Sequence, residues 1–275
     1  FMEKRRDGQV IAIAALAIAI VFMSVGFAGT LLNQFLKLWF RIPRPWVTDP
    51  EFTILEQARE GASGYSFPSG HTQSSVGTFG GIAYSTKNKI ARVISIIIAV
   101  LVPFSRMYIG VHTPLDVFVS VGIALILIFV LYPLIYKNDG KAMPCLIGIM
   151  SLAAIGYLCF VELYPFPDDI DQHNLESGIK NAYTLIGALF GLIVVYIVER
   201  KWIKFPTKAI WWAQILKVAL GLSIVLAVKS GLSAPLAALL GEKLGRTVRY
   251  FLIVLVAGAI WPLSFRWFAR LGRKE

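Results

Sequence analysis

Residues 117–136 read VFVSVGIALILIFVLYPLIY, twenty positions without one charge. A helix of that length rises about 30 Å, the thickness of a bilayer's hydrocarbon core. The run follows directly on SRMYIGVHTPLD (105–116), which sets an arginine, a histidine and an aspartate at the mouth of the helix. Ionisable groups at such a depth are costly, so they are either paired for structure or used in chemistry.

The rest of the 275 residues agrees with that first reading. The chain is 57% hydrophobic and 16% charged, with a mean hydropathy of +0.69, whereas a soluble domain carries about a quarter charged residues. Eight apolar segments stand out, at 9–36, 69–85, 90–106, 114–136, 142–163, 181–199, 208–232 and 248–268. They are too long and continuous for barrel strands, and lipid leaves helices as the other way to satisfy the backbone. The expected fold is all-α, a polytopic transmembrane helical bundle of about eight spans. The net charge of +11 does not form a stripe or a basic tail, which argues against a nucleic-acid partner. It falls in short clusters between spans.

Those clusters orient the chain. With the amino terminus inside, the inner turns collect Lys4, Arg5 and Arg6, then Lys87, Lys89 and Arg92, then Lys137 and Lys141. Later inner loops add Arg200, Lys201, Lys204 and Lys208, and the carboxy terminus adds Arg266, Arg270, Arg273 and Lys274. The outer loop after the fifth span is acidic, with Asp168, Asp169, Asp171 and Glu176. Lys/Arg excess marks the cytoplasmic side. Lys243, Arg246 and Arg249, in what reads as the last outer loop, remain unexplained exceptions. Cys145 and Cys159 are read as buried small side chains, too far apart along one helix for a disulfide.

Three polar stretches fall on the outer side of this topology: KLWFRIPRP (37–45), FPSGH (67–71) and SRMYIGVHTPLD (105–116). Thr113, Pro114 and Asp116 read as a helix entrance, and a plain capping box accounts for Asp116 by itself. His112 just before the cap adds a second reading, since a carboxylate on Nδ1–H fixes the tautomer and leaves Nε2 nucleophilic. Lys37, Arg44 and Arg106 suit an oxyanion such as phosphate; singly, each is also what a snorkelling headgroup contact looks like. Ser69 and Gly70 open the next helix, where free amides face an anion, and His71 is either a further polar group of the site or an interface histidine.

The pattern Lys37-x6-Arg44-Pro45, Pro68-Ser69-Gly70-His71 and Ser105-Arg106-x5-His112-x3-Asp116 resembles the three-part signature of the type 2 phosphatidic acid phosphatase superfamily, with every fixed position filled in order. The resemblance implies a membrane lipid phosphate phosphatase that uses no metal and no cofactor. It implies His112 as the nucleophile forming a phosphohistidine, Asp116 as its orienting partner and His71 as general acid and base. Lys37, Arg44, Ser69, Gly70 and Arg106 would hold the phosphoryl group. Residues 1–136 are then the phosphatase core and 142–275 a four-helix membrane extension. Members usually carry two or three helices before the first motif, so at least one upstream helix is expected to be absent here. SRMYIGVHTPLD is also similar to the sphingosine-phosphate branch of the family, whereas FPSGHT is the form common in bacterial members; the latter implies a bacterial inner membrane, with the site on the extracytoplasmic side by the charge clusters.

Three functions are carried forward: hydrolysis of a lipid phosphate monoester or pyrophosphate, phosphotransfer through the same site, and membrane transport. Lys217 and Lys229 within the seventh segment are the features that favour transport, although interfacial snorkelling and packing inside the carboxy-terminal helices explain them more simply. Gly80, Gly81 and Gly122 are read as close-packing sites. Residues 142–275 are open to three roles, a lipid groove, a homodimer surface or a second function.

Overall fold

The computed structural model describes residues 24–62, 64–136, 142–198 and 209–271. Most of the inner-side cations that orient the chain (Lys4, Arg5, Arg6, Lys137, Lys141, Arg200, Lys201, Lys204, Lys208, Arg273 and Lys274) lie outside the described residues, as does the start of the first apolar segment. Among the described residues the chain is helical, with no strand.

A helix through 24–40 (α1) is followed by two single turns, α2 (Pro45–Thr48) and α3 (Glu56–Arg59). Next, α4 (Gly70–Ser75) passes through a π turn (Val76–Gly80) into α5 (Gly81–Ser85). The longer elements are α6 (Lys89–Tyr108), α7 (Pro114–Tyr136), α8 (Met143–Leu163), α9 (Gln172–Val198) and α10 (Trp211–Gly231). Last comes α11 (Ser233–Leu255), which runs through a second π turn (Val256–Ile260) into α12 (Trp261–Leu263), followed by α13 (Phe265–Phe268).

Six of these helices are long and apolar enough to cross a membrane: α6 to α10, and Ser233–Leu263 as one length. The chain is thus a multi-pass membrane protein. The stretch Gly70–Ser85, expected as a span, is helical but short. Even at a full 1.5 Å per residue it rises about 24 Å, less than the roughly 30 Å of hydrocarbon.

The chain divides into two compact units, one of 17–146 with 156–179 and one of 1–16 with 147–155 and 180–275. In the first, α4 packs against both α6 and α7. Phe35 and Trp39 of α1 meet Phe160 of α8 with ring centroids 5.0 and 6.2 Å apart, and Tyr157 donates to the carbonyl of Gly178 at 3.2 Å. A Cβ at Gly80 would lie 3.2 Å from Ile128, so this glycine does mark close packing of helices; around Gly122 nothing lies within 4 Å, contrary to expectation. Cys145 and Cys159 are exposed and unpaired. Burial was the wrong expectation for them, because an apolar helix surrounded by lipid does not have to hide its small residues.

In the second unit, α9 and α11 approach backbone to backbone. A Cβ at Gly187 would sit 2.1 Å from the carbonyl oxygen of Thr247, and the Thr247 hydroxyl donates to the Tyr183 carbonyl at 3.2 Å. Small residues admit such contacts between helices in lipid. Residues 233–247, expected as an outer loop, are helical instead. Alanine and leucine in SAPLAALL favour the helix, and Gly241 breaks it with φ 75° and ψ 169°. Two of the three cations left unexplained there have partners: the Lys243 ammonium lies 5.6 Å from the Tyr183 ring centre, and Arg249 donates to the Ser233 hydroxyl. Lys217 packs inside the carboxy-terminal helices, 7% exposed, with its ammonium 4.4 Å from the Phe265 ring centre.

Gly187→Leu is expected to lower the thermal inactivation midpoint in detergent, by a stability loss of about 1–3 kcal/mol or more. Gly122→Ala, with open space around it, should leave the midpoint level or raise it, and an equal effect of the two would contradict this packing.

Candidate active site

Helix direction gathers the three polar stretches at one end of the first unit: α1 and α6 end there, and α4 and α7 begin there. Backbone hydrogen bonds tie the ends together. Ser66 N–H reaches the Ile42 carbonyl at 2.8 Å, Ser69 N–H that of Asp116 at 3.2 Å, and Leu55 N–H that of Ile109 at 3.2 Å. Gly110 adopts φ 78°, and a Cβ there would lie 2.6 Å from the Thr53 carbonyl oxygen. Glycine at 110 therefore lets the 47–67 loop lie against the turn before His112.

Asp116 is buried in the first turn of α7. Its Oδ2 accepts from the Ser66 hydroxyl at 2.5 Å and from Thr113 N–H at 2.8 Å, and lies 3.4 Å from His112 Nδ1. Asp116 N–H returns to Thr113 Oγ1 at 3.3 Å. The capping box and the histidine contact thus coexist, on the same carboxylate oxygen. Arg44 Nη1 lies against the same ring, 3.0 Å from His112 Nε2 and 3.4 Å from Nδ1. A carboxylate only accepts, so the Asp116 contact favours the ring proton on Nδ1 and a bare Nε2.

Burial pushes the His112 pKa down from the ordinary 6.5 to about 4; Arg44 and Lys37 push the same way, and the Asp116 hydrogen bond opposes them. A buried ring beside two cations is kept neutral, as a nucleophilic imidazole has to be. Burial also lowers Arg44 to about 10, with Asp116 opposing, which leaves it charged at neutral pH.

The cations are held by backbone. Arg44 Nε donates to the Gly64 carbonyl at 2.9 Å and Nη1 to that of Val111 at 2.7 Å, while Lys37 Nζ donates to the Tyr65 carbonyl. Such anchoring fixes the forks before any anion arrives. Lys37, Arg44, Gly70, His71 and His112 line one cavity of about 630 Å³. Arg106 closes α6, half-buried, with Nε 3.4 Å from Ser105 Oγ, and its charge acts on His71 together with those of Arg44 and Lys37. Ser69 is fully buried and caps α4, its hydroxyl accepting from Thr72 N–H at 3.4 Å. It does not line the cavity.

Sequence reasoning missed three residues. Ser66 is fully buried, bonded to Asp116 and 3.4 Å from His112 Nδ1; a lone serine before FPSGH carries no periodic signal. Asn33, one turn before Lys37 on α1, donates to the Pro68 carbonyl at 3.2 Å. Asn174 lies far along the chain, in the first turn of α9. Its Oδ1 accepts from Tyr65 N–H at 2.7 Å, so it braces from behind the peptide segment whose carbonyls hold Arg44 and Lys37.

Residues 10–139 match the model of the PAP2 superfamily, and residues 183–274 match that of the PAP2 superfamily phosphatase, transmembrane extension. Two curated proteins of Bacillus subtilis (strain 168) are similar. Undecaprenyl-diphosphatase BcrC is 32% identical over 39% of this chain and 52% of its own length. Phosphatidylglycerophosphatase B is 36% identical over 36% of this chain and 49% of its own. The chain spans about half the length of these relatives. No solved structure matches it.

Two outcomes check this geometry. In an NMR titration of the imidazoles in detergent, His112 should stay neutral until the pH falls to about 4; a midpoint near 6.5 would contradict its enclosure. Ser66→Ala should lower kcat on the order of tenfold, the loss of one strong hydrogen bond to a charged group. Ser66→Thr should recover part of it, and a silent Ser66→Ala would remove Ser66 from the site.

Proposed function

Because the chain belongs to the PAP2 superfamily, we propose that it hydrolyses a lipid phosphate monoester or diphosphate through a phosphohistidine on His112. The observation that carries this reading is the arrangement of one cavity: a neutral imidazole, a second imidazole and two backbone-anchored cations line the same space.

His112 Nε2 attacks phosphorus, a P–N bond forms and the P–O bond to the lipid alcohol breaks. His71 gives its proton to the departing alkoxide. Positive charge developing on the imidazole is matched by Asp116, which receives the Nδ1–H, while Ser66 and Thr113 fix the carboxylate oxygen. Water then attacks the phosphohistidine, His71 takes a proton from it, and inorganic phosphate leaves as Nε2 regains its lone pair. Lys37, Arg44 and Arg106, with the Gly70 amide, stabilise the phosphoryl oxygens in both steps, while Ser69 serves them only by capping α4. The cycle as written takes no step through a metal.

A lipid phosphate is favoured as substrate because the two curated relatives carry the names of lipid phosphatases and because the cavity lies at the ends of apolar helices. The distribution of Lys and Arg supports a site on the extracytoplasmic side, and the Bacillus subtilis relatives support a bacterial membrane.

His112→Ala should reduce free-phosphate release from lipid phosphates in detergent on the order of a thousandfold or more. Wild-type release should persist in chelator and fall with vanadate. Near-native turnover by His112→Ala would overturn the mechanism, and a strict divalent-metal requirement would overturn its metal-free course.

A further inference from the structure

Three consecutive residues, Gly64, Tyr65 and Ser66, each hold one charged group of the site. The Gly64 carbonyl accepts from Arg44 Nε at 2.9 Å, the Tyr65 carbonyl accepts from Lys37 Nζ, and the Ser66 hydroxyl donates to Asp116 Oδ2 at 2.5 Å. A segment that steadies two cations and a carboxylate has to be steadied in turn. A recess of about 280 Å³ opens beside it, lined by Arg44, Trp46, Gly64, Tyr65, Asp171 and Asn174 among others. Packing on that side is loose, and directed bonds do the holding.

Asn174 supplies one of them from far along the chain. Its Oδ1 accepts from Tyr65 N–H at 2.7 Å. That N–H belongs to the same peptide group as the Gly64 carbonyl, and the group is trans, so the two point in opposite directions. One planar unit is thus held between Asn174 Oδ1 and Arg44 Nε, and rotating it breaks both bonds. Arg44 carries the series onward, since its Nη1 donates to the Val111 carbonyl at 2.7 Å and lies 3.0 Å from His112 Nε2. Hydrogen bonds in series also polarise one another.

The surroundings are fitted to this contact. Gly64 adopts φ 89°, and a Cβ there would lie 2.6 Å from Asn174 Oδ1. Glycine therefore permits the turn and leaves room for the amide. Asn174 is itself fixed at the start of α9, where its N–H meets Asp171 Oδ1 at 2.9 Å, and Asp171 N–H meets the Tyr65 hydroxyl at 3.3 Å. We propose that Asn174 is a positioning residue for the phosphate site: by fixing the 64–65 peptide it keeps Arg44 in the orientation that receives the phosphoryl oxygens. It touches no reacting atom. This role rests on the phosphatase reading given above and adds to it a residue from outside the three motifs.

Isothermal titration of orthovanadate into the detergent-solubilised protein reads the site without turnover, and the dissociation constant describes folded molecules only. Asn174→Leu, close in shape but without an acceptor, should raise that constant about three- to tenfold, the effect of one hydrogen bond. Asn174→Asp keeps the acceptor, and an acid is favourable in the first turn of a helix; it should restore most of the affinity. A role confined to helix stability would lower the thermal midpoint and leave the constant where it was. Asn174→Ala gives the same reading where Asn174→Leu does not fold. An unchanged constant in the variant without an acceptor, or no recovery in Asn174→Asp, would overturn the assignment of Asn174 alone. A wild type that does not take up vanadate would overturn the phosphate site, and this role with it.

Discussion

One buried carboxylate organises the end of the core where the motifs meet. Asp116 Oδ2 accepts from Ser66 on the segment before α4 and from Thr113 at the start of α7, and it faces the His112 ring; its backbone carbonyl accepts from Ser69. A charge this deep requires several donors to be tolerable, and satisfying it pins the two chain segments that carry His71 and His112. Taking away the carboxylate would leave the Ser66 hydroxyl and the Thr113 amide seeking partners, so its structural and chemical duties are not separable. Lys37 and Arg44 complete the arrangement, each tied to backbone carbonyls.

Much of this was legible in the primary structure, because charge is rare in a membrane chain. Against a background of leucine and isoleucine, Lys37, Arg44, Arg106, His112 and Asp116 announce themselves, and their spacing carries the family resemblance. The run 117–136 disclosed the architecture in the same way: α7 covers Pro114–Tyr136. What stayed hidden depends on tertiary contact. Ser66 looks like any loop serine until the Asp116 oxygen is placed next to it, and Asn174 reaches Tyr65 across 109 positions. The helix through 233–247 was hidden for another reason, its charges being those of a loop while its partners, Tyr183 and Ser233, become visible only once α9 and α11 are packed.

The bracing by Asn174 bears on why the chain continues beyond the core motifs. Asp171 caps the start of α9, accepting from Asn174 N–H at 2.9 Å, and Asn174 in turn accepts from Tyr65. Residues 171–174 fall between the two family-model matches, at 10–139 and 183–274, yet they belong to the same compact unit as the motifs. The connecting segment thus helps to hold the loop whose carbonyls anchor Lys37 and Arg44.

The proposed reaction turns on a bond between His112 Nε2 and phosphorus. An experimental structure of the protein with vanadate, whose five-coordinate form imitates the transferring phosphoryl group, tests that most directly. Vanadium bonded to His112 Nε2, with its oxygens turned to Lys37, Arg44 and Arg106, is the result this geometry predicts. Vanadate bound elsewhere, or seated among these cations without a bond to the ring, would contradict it.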